Sequence, residues 1–300
     1  MYWFLSRLID VLDKLSQATR HLAGKWEPEN IQEIGVARST RHDMAAEADE
    51  AFYADQYWAV LLPYLESLPR DARLLDLGCG QGRLTLRLAG RFPGGRIVGC
   101  DLSSQVVENA RRYAADRGIA NAEFHNQTIS RFLERFEGRE FDAVFMTEVS
   151  FYYPGWEETL PRMADILKPG GLLVLSCRSQ YFDALCVVRD RIWESVDLLL
   201  RGRTGRIFRS PVGFTWQTGA EIGALLERHG LAVAELRGIG ACSGIEGDPN
   251  ALICRPSLLG EEEREKLMKL ELEVGKSVPD GGRYVLAIAR KPDAGKEAEP

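Results

Sequence analysis

The stretch LLDLGCGQGRLTLRL, residues 74–88, restricts the fold more than any other part of this 300-residue chain. An apolar run delivers Asp76, glycines follow at 78, 80 and 82, and a helical pattern begins at once. Glycine suits such a turn because the backbone must adopt positive φ and approach a ligand with no Cβ in the way. The free N–H groups of the following helix point at the same spot, so strand, turn and helix together form an anion-tolerant cradle. A dinucleotide-binding fingerprint would place its third glycine at position 83, which is Arg; the spacing here is G-x-G-x-G instead.

The rest of the chain repeats the same rhythm. Helical spacing runs over 45–68 and stops near Pro69, and short apolar strands are expected at 73–77, 96–100, 122–126, 141–145 and 172–177. Helices are expected between them, one capped by Ser103 and running to about 117, another over 156–167 ended by Lys168-Pro-Gly-Gly. Apolar strands separated by helices predict an α/β chain with a doubly wound, mostly parallel sheet covered on both faces. After the fifth strand the pattern breaks twice, at 179–215 and 240–282. A helix over 218–229 and a strand near 231–236 lie between the breaks, and a last strand at 284–289 follows the second. The first break contains a helix over 187–200, the second an acidic helix near 261–274. The reading is an N-terminal helical extension (1–42), one main domain (43–292) with two cap insertions, and a disordered tail (293–300).

Composition narrows the function classes. Net charge is −6, which disfavours a nucleic-acid backbone as partner and points to a small molecule. The six cysteines stand singly, without zinc-ligand spacing or the density of a secreted scaffold, so no metal and a cytoplasmic location are expected. The opening MYWFLSRLIDVLDKL superficially resembles a signal peptide. Its apolar positions Phe4, Leu5, Leu8, Ile9, Leu12 and Leu15 follow helical spacing, however, with Asp10 and Asp13 interrupting. That makes it an amphipathic helix for packing on the main domain or on a second subunit, so a homodimer through this helix or the cap is open. No run reaches the length of a membrane span.

Asp101 lies 19 residues past Gly82, directly after the second strand. In a doubly wound sheet its carboxylate reaches the ribose diol of a ligand in the glycine turn, and a bidentate charged contact results. The alternative is an N-cap for the next helix. LLDLGCGQGRLTLRLA followed by IVGCDLS, FDAVFMTEV and LKPGGLLVLS resembles, in order, the class I S-adenosylmethionine (SAM) dependent methyltransferases of the small-molecule branch. WQTGAEIGALLERHGLAV fits the family's last helix and sixth strand. The likeness is close over 50–178 and looser over 214–290.

That resemblance implies a seven-stranded Rossmann-like sheet whose last strand, 284–289, is antiparallel beside the sixth, and SAM as cofactor. It implies that Asp76, Gly78, Cys79, Gly80 and Gly82 hold the methionine end, that Asp101 takes the ribose, and that Leu102 flanks the adenine. Thr128 and Ile129 meet the adenine edge, and the backbone N–H of Ile129 is the better donor, because many relatives have Asp near Thr128. Thr147 lies near the methionine amine or the sulfonium. Tyr57, in the aromatic stripe Phe52, Tyr53, Tyr57 and Trp58, closes over the cofactor, where aromatic faces suit a cation.

Methyl transfer from a sulfonium is an in-line displacement in which alignment matters most and a general base is optional. Glu148 is a base or acceptor, or a helix-start carboxylate. Tyr152 and Tyr153 line the pocket or pack, and Arg178 clamps a substrate carboxylate or phosphate. His125 and His229 are read as structural. The span 178–215 holds seven Arg against four acids, and Arg201, Arg203, Arg206 and Arg209 either meet an acidic substrate or carrier or are solvated. The N/D-P-P-Y motif used on nucleobase amines is absent. The expected function is methyl transfer to O, N or C of a small molecule. A SAM-binding cyclase or lyase on the same scaffold is the alternative.

Overall fold

The computed structural model describes residues 47–208 and 213–293. The first 46 residues, with the amphipathic segment, lie outside the described residues, as do Arg209 and the tail beyond 293. A long helix, α1 (Ala48–Leu65), precedes the sheet. Then follow β1 (Arg73–Leu77), α2 (Arg83–Arg91), β2 (Arg96–Asp101), α3 (Ser104–Asp116), β3 (Ala122–Asn126), α4 (Ile129–Leu133) and β4 (Phe141–Met146). After β4 come α5 (Leu160–Ile166) and β5 (Leu167–Arg178).

The main sheet has seven strands in the order β3-β2-β1-β4-β5-β9-β8, counting β8 (Ala232–Ile239) and β9 (Tyr284–Arg290). β1 to β5 are parallel; β9 runs antiparallel between β5 and β8, with Val174 opposite Ile288. The expected antiparallel last strand beside the sixth is therefore found.

Burial explains the composition of the strands. β4 is buried at every position and β9 at all but its last, because helices cover both faces. One layer joins α4, α5 and α8 (Gly219–Arg228) through Phe132, Met163, Ile222 and Leu226 against Leu75, Val144 and Leu173. The opposite layer joins α1 and α2 through Tyr53, Tyr57, Leu61 and Leu88 against Leu74, Phe145 and Leu286. α8 starts with a capping box in which Thr218 and Glu221 exchange bonds.

Several local expectations change. Ser103 occupies the N-cap position of α3, but its side chain makes no capping bond. The helix expected over 156–167 is a 3-10 turn (Trp156–Thr159) followed by α5, and β5 already includes Leu167 and the Pro-Gly-Gly segment. The helix expected over 187–200 is two, α6 (Gln180–Arg189) and α7 (Val196–Arg201). The chain leaves α6 through Arg191, whose φ of +53° breaks helical geometry without a glycine or proline to mark it.

The first insertion has its own small core. Phe151, Val187, Ile192, Leu199, Phe214 and Trp216 pack together, and the short ladder β6 (Thr204–Gly205) with β7 (Phe214–Thr215) closes it. The second insertion is split in role. Its helix α9 (Glu261–Ser277) packs on β8, close enough that a Cβ on Gly275 would lie 2.1 Å from the Gly238 carbonyl oxygen. Residues 241–260 instead lie against α1: Tyr53 donates to the Ser243 carbonyl at 2.6 Å, and Asp49 accepts from the Ser257 N–H at 2.6 Å.

Candidate active site

The glycine turn forms as its sequence requires. Gly78, Gly80 and Gly82 have φ of +73°, +53° and +85°. The N–H groups of Gly78 and Cys79 both donate to the Cys100 carbonyl, pinning the turn to the end of β2. Each glycine has a different constraint. A Cβ on Gly78 would sit 2.3 Å from Val149, and one on Gly82 would meet Leu86 and Phe124 at 3.2 Å. A Cβ on Gly80 would meet nothing within 4 Å, so this glycine faces open space.

Two carboxylates flank the turn. Asp76 is buried and accepts from the Thr85 hydroxyl at 2.6 Å; burial pushes its carboxyl up to about 6 against that bond. Asp101 accepts from the Ser103 N–H at 2.9 Å and from the Gly80 N–H at 3.0 Å. Burial raises its carboxyl too, opposed by these two bonds. Asp101 is therefore not the N-cap of α3, a position held by Ser103; it anchors the loop before that helix, which is compatible with a ligand contact. Each of its oxygens accepts one of these backbone bonds and, as a carboxylate oxygen, can accept another. Asn126 donates to the Leu102 carbonyl at 2.7 Å, tying β3 to the loop after β2, and Thr128 and Ile129 follow at the start of α4.

A cleft opens beside this turn, lined by Ala54, Tyr57, Trp58, Arg83, Leu84, Arg87 and Thr147. Arg83, which replaced the third glycine of a dinucleotide fingerprint, is its charged centre. Its guanidinium meets the Glu50 carboxylate at 2.9 Å and the Glu148 carboxylate at 3.3 Å. Burial opposes the Arg83 charge, but Glu148 and Glu50 outweigh it and raise its pKa. The Glu50 carboxyl is raised by burial first and then by Glu148.

Glu148 has φ of +60°, a left-handed backbone rare for a side-chain-bearing residue. Its N–H donates to the Ser176 hydroxyl at 2.7 Å, and the Tyr57 hydroxyl donates to the same oxygen at 3.1 Å. Burial, then Glu148, pushes the Tyr57 phenol well up, so Tyr57 is neutral. Glu50, Arg83 and Ser176 were not singled out from sequence. The Arg in place of a glycine was the one available signal, and it was read only as excluding a dinucleotide.

The expected catalytic residues do not all converge. Tyr57 and Thr147 line the cleft, and Glu148 adjoins it through its ion pair with Arg83. Tyr152 is partly exposed and packs edge-on against Phe151 and Phe214 of the first cap. Tyr153 is half-buried against the α4–α5 layer, its phenol raised by burial and bonded to Ser130. Arg178 is buried; its Nε donates to Asp183 at 2.8 Å, and its guanidinium lies over Phe151 and Phe182. In the cap, Arg203 pairs with Glu221 at 2.5 Å and Arg201 with Asp197 at 3.5 Å in open solvent, so these two do not converge on one point. Among the described residues no group of three His, Cys, Asp or Glu could hold a metal, and no helix is long and apolar enough to cross a membrane.

The strand order, the antiparallel β9 and the glycine turn entering α2 define the class I SAM-dependent methyltransferase fold. Residues 74–171 match the family model described as "Methyltransferase domain". It is similar to trans-aconitate 2-methyltransferase of Variovorax paradoxus, 32% identical over 36% of this chain and 39% of that protein. The chain thus aligns with about two fifths of that relative's length. In fold it resembles the cyclase SpnF (TM-score 0.52, 18% identity, 80% of this chain and 81% of that one). It also resembles a chain from the complex of a Haloferax volcanii methyltransferase activator with its methyltransferase (TM-score 0.50, 22% identity, 83% and 96%).

Proposed function

We propose that this chain is a methyltransferase that uses SAM to methylate O, N or C of a small molecule. The reading rests chiefly on one arrangement: Gly80 facing open space beside the Asp101 carboxylate, in a segment that matches a methyltransferase domain. The residues fit the cofactor. Asp101 suits a ribose diol, Leu102, Thr128 and Ile129 an adenine, and Asp76, Gly78, Cys79, Gly80 and Gly82 the methionine end, with Thr147 and Tyr57 beside the sulfonium. When bound, SAM supplies a methyl group already activated for displacement.

The chain's own residues then have three tasks. The α1 aromatics Tyr57 and Trp58 exclude water from the cleft. Arg83 is held charged between Glu50 and Glu148 and fixes both carboxylates. Glu148, aimed by its left-handed backbone and by Ser176, accepts the proton of a hydroxyl or amine acceptor. A homodimer and a cytoplasmic location belong to the same reading.

Incubation of the full chain with SAM and candidate acceptors, followed by mass spectrometry, tests the reaction. A product heavier by one CH2 together with S-adenosylhomocysteine is expected. An altered acceptor with the cofactor left intact would instead support a cyclase or lyase. Calorimetric titration of Asp101→Ala with SAM tests the site. An affinity loss of about tenfold or more is expected from removing a charged bidentate contact, and an unchanged affinity would sink the ribose assignment.

A further inference from the structure

A second set of polar groups lies at the carboxyl end of β5 and the start of β9, outside the cofactor turn. Arg283 directly precedes Tyr284, and its guanidinium packs against the rings of Tyr53 and Tyr284. Arg283 Nη1 lies 2.9 Å from Asp248 Oδ2, yet that oxygen has no aligned hydrogen bond, and Arg283 Nε is buried with no partner. Gln56 on α1 is 1% exposed; its Oε1 accepts from the Gly240 N–H at 3.0 Å, and its Nε2 is buried with no partner. Gly240 joins the two, because its carbonyl accepts from the Arg283 N–H at 3.2 Å.

Two buried donors without partners, on side chains tied to the backbone of one residue, are costly unless something accepts from them. The Asp248 carboxylate, carried on the second insertion, is near Arg283 but oriented so that the bond is not made. The pair borders the cleft through its neighbours: Gln56 precedes Tyr57, which lines the cleft, and Tyr284 stands opposite Arg178 on β5, two residues beyond the Ser176 hydroxyl that holds the Glu148 N–H and Tyr57.

We propose that Arg283 and Gln56 form a carboxylate-binding subsite for the methyl acceptor, with the cap's own Asp248 as a competing carboxylate beside it. The inference rests on the methyltransferase reading and names its substrate class. A carboxylate presents two oxygens to the free Nε and Nε2 donors. Its exchange for Asp248 leaves the local charge unchanged, whereas a doubly charged phosphate would add negative charge near Glu148 and Asp183. Arg178, committed to Asp183, is a neighbour of this subsite and not the clamp.

The test uses the full chain with S-adenosylhomocysteine and, as probes, trans-aconitate, succinate and benzoate beside their methyl esters, by titration calorimetry. At least one acid is expected to bind tenfold or more tightly than its ester. Arg283→Gln lowers that affinity tenfold or more, Arg283→Lys lowers it less, and Asp248→Asn raises it severalfold by removing the competing carboxylate. S-adenosylhomocysteine affinity stays within twofold in all three variants, which reports that each is folded. Acid and ester binding alike, no binding by any acid, or an Arg283→Gln variant as good as the parent would overturn the subsite. Absence of S-adenosylhomocysteine binding by the parent chain would instead overturn the methyltransferase reading beneath it.

Discussion

Gly78 and Gly80 share a left-handed backbone but differ in what surrounds them, and single substitutions separate the two constraints. Gly78→Ala adds a methyl 2.3 Å from Val149 on a strained backbone, so a stability loss of about 3 kcal/mol is expected by urea denaturation. Gly80→Ala bears the backbone strain alone, about 1–2 kcal/mol. Its methyl enters open space, so its main effect is expected on cofactor affinity in calorimetry. Equal stability losses with unchanged binding would mean that Gly80 does not face the ligand.

Asp76 gives a pH prediction. Its carboxyl is raised from 3.8 to about 6 by burial, so the folded state holds the proton more tightly than the unfolded chain. Its contribution to stability therefore falls as pH rises from about 4 to 6, by about 3 kcal/mol at most. The stability of Asp76→Asn relative to the parent is expected to increase over that window and then level off. A difference that does not change with pH would refute the raised carboxyl.

At the scale of elements, strands were more legible than helices. The apolar runs at 73–77 and 141–145 match β1 and β4 closely, since a strand buried on both faces shows in composition alone. Helix ends were less legible, because Arg191 breaks α6 with a conformation its residue type does not announce, and Leu167 leaves α5 for β5 before the Pro-Gly-Gly. The glycine turn was readable because glycine spacing encodes backbone geometry directly. Glu50, Arg83 and Ser176 were not, because their roles depend on α1, α2 and β5 meeting in space.

The second insertion likewise hid its anchor. Glu271 of α9 is buried and accepts from the N–H groups of Ala241 and Cys242 and from the Ser243 hydroxyl. Glu271→Ala leaves these donors unpaired, and a loss of about 2–4 kcal/mol is expected. Hydrogen exchange should speed up first at 241–243, with Glu271→Gln intermediate; uniform loss of protection across the sheet would contradict a local anchor.

For the whole molecule, alternation of strands and helices predicts the sheet class. The place of the last strand beside the sixth came from family likeness, because no local pattern says that β9 enters between β5 and β8. One prediction belongs to this scale. At about a hundredfold excess over its dissociation constant, S-adenosylhomocysteine should stabilise the fold by about 2.7 kcal/mol, a rise of roughly 5 °C in Tm. Asp101→Ala should lose most of that rise in a thermal scan at the same ligand concentration, and a full rise would count against the site.

The position of β9 also bears on how the chain is made. β5 and β8 each offer an open hydrogen-bonding edge until β9 pairs with both, and β9 is translated after every other strand of the sheet. From the completion of β5 at Arg178 until β9 ends at Arg290, a nascent chain therefore carries the apolar edge of β5 unpaired, joined from Ile239 onward by the unpaired edge of β8, the kind of template on which neighbouring chains pair wrongly. Ribosomes closely spaced on one message would bring such edges together, so the yield of this protein should depend on translation density and on chaperones that shield β5 until its last partner emerges.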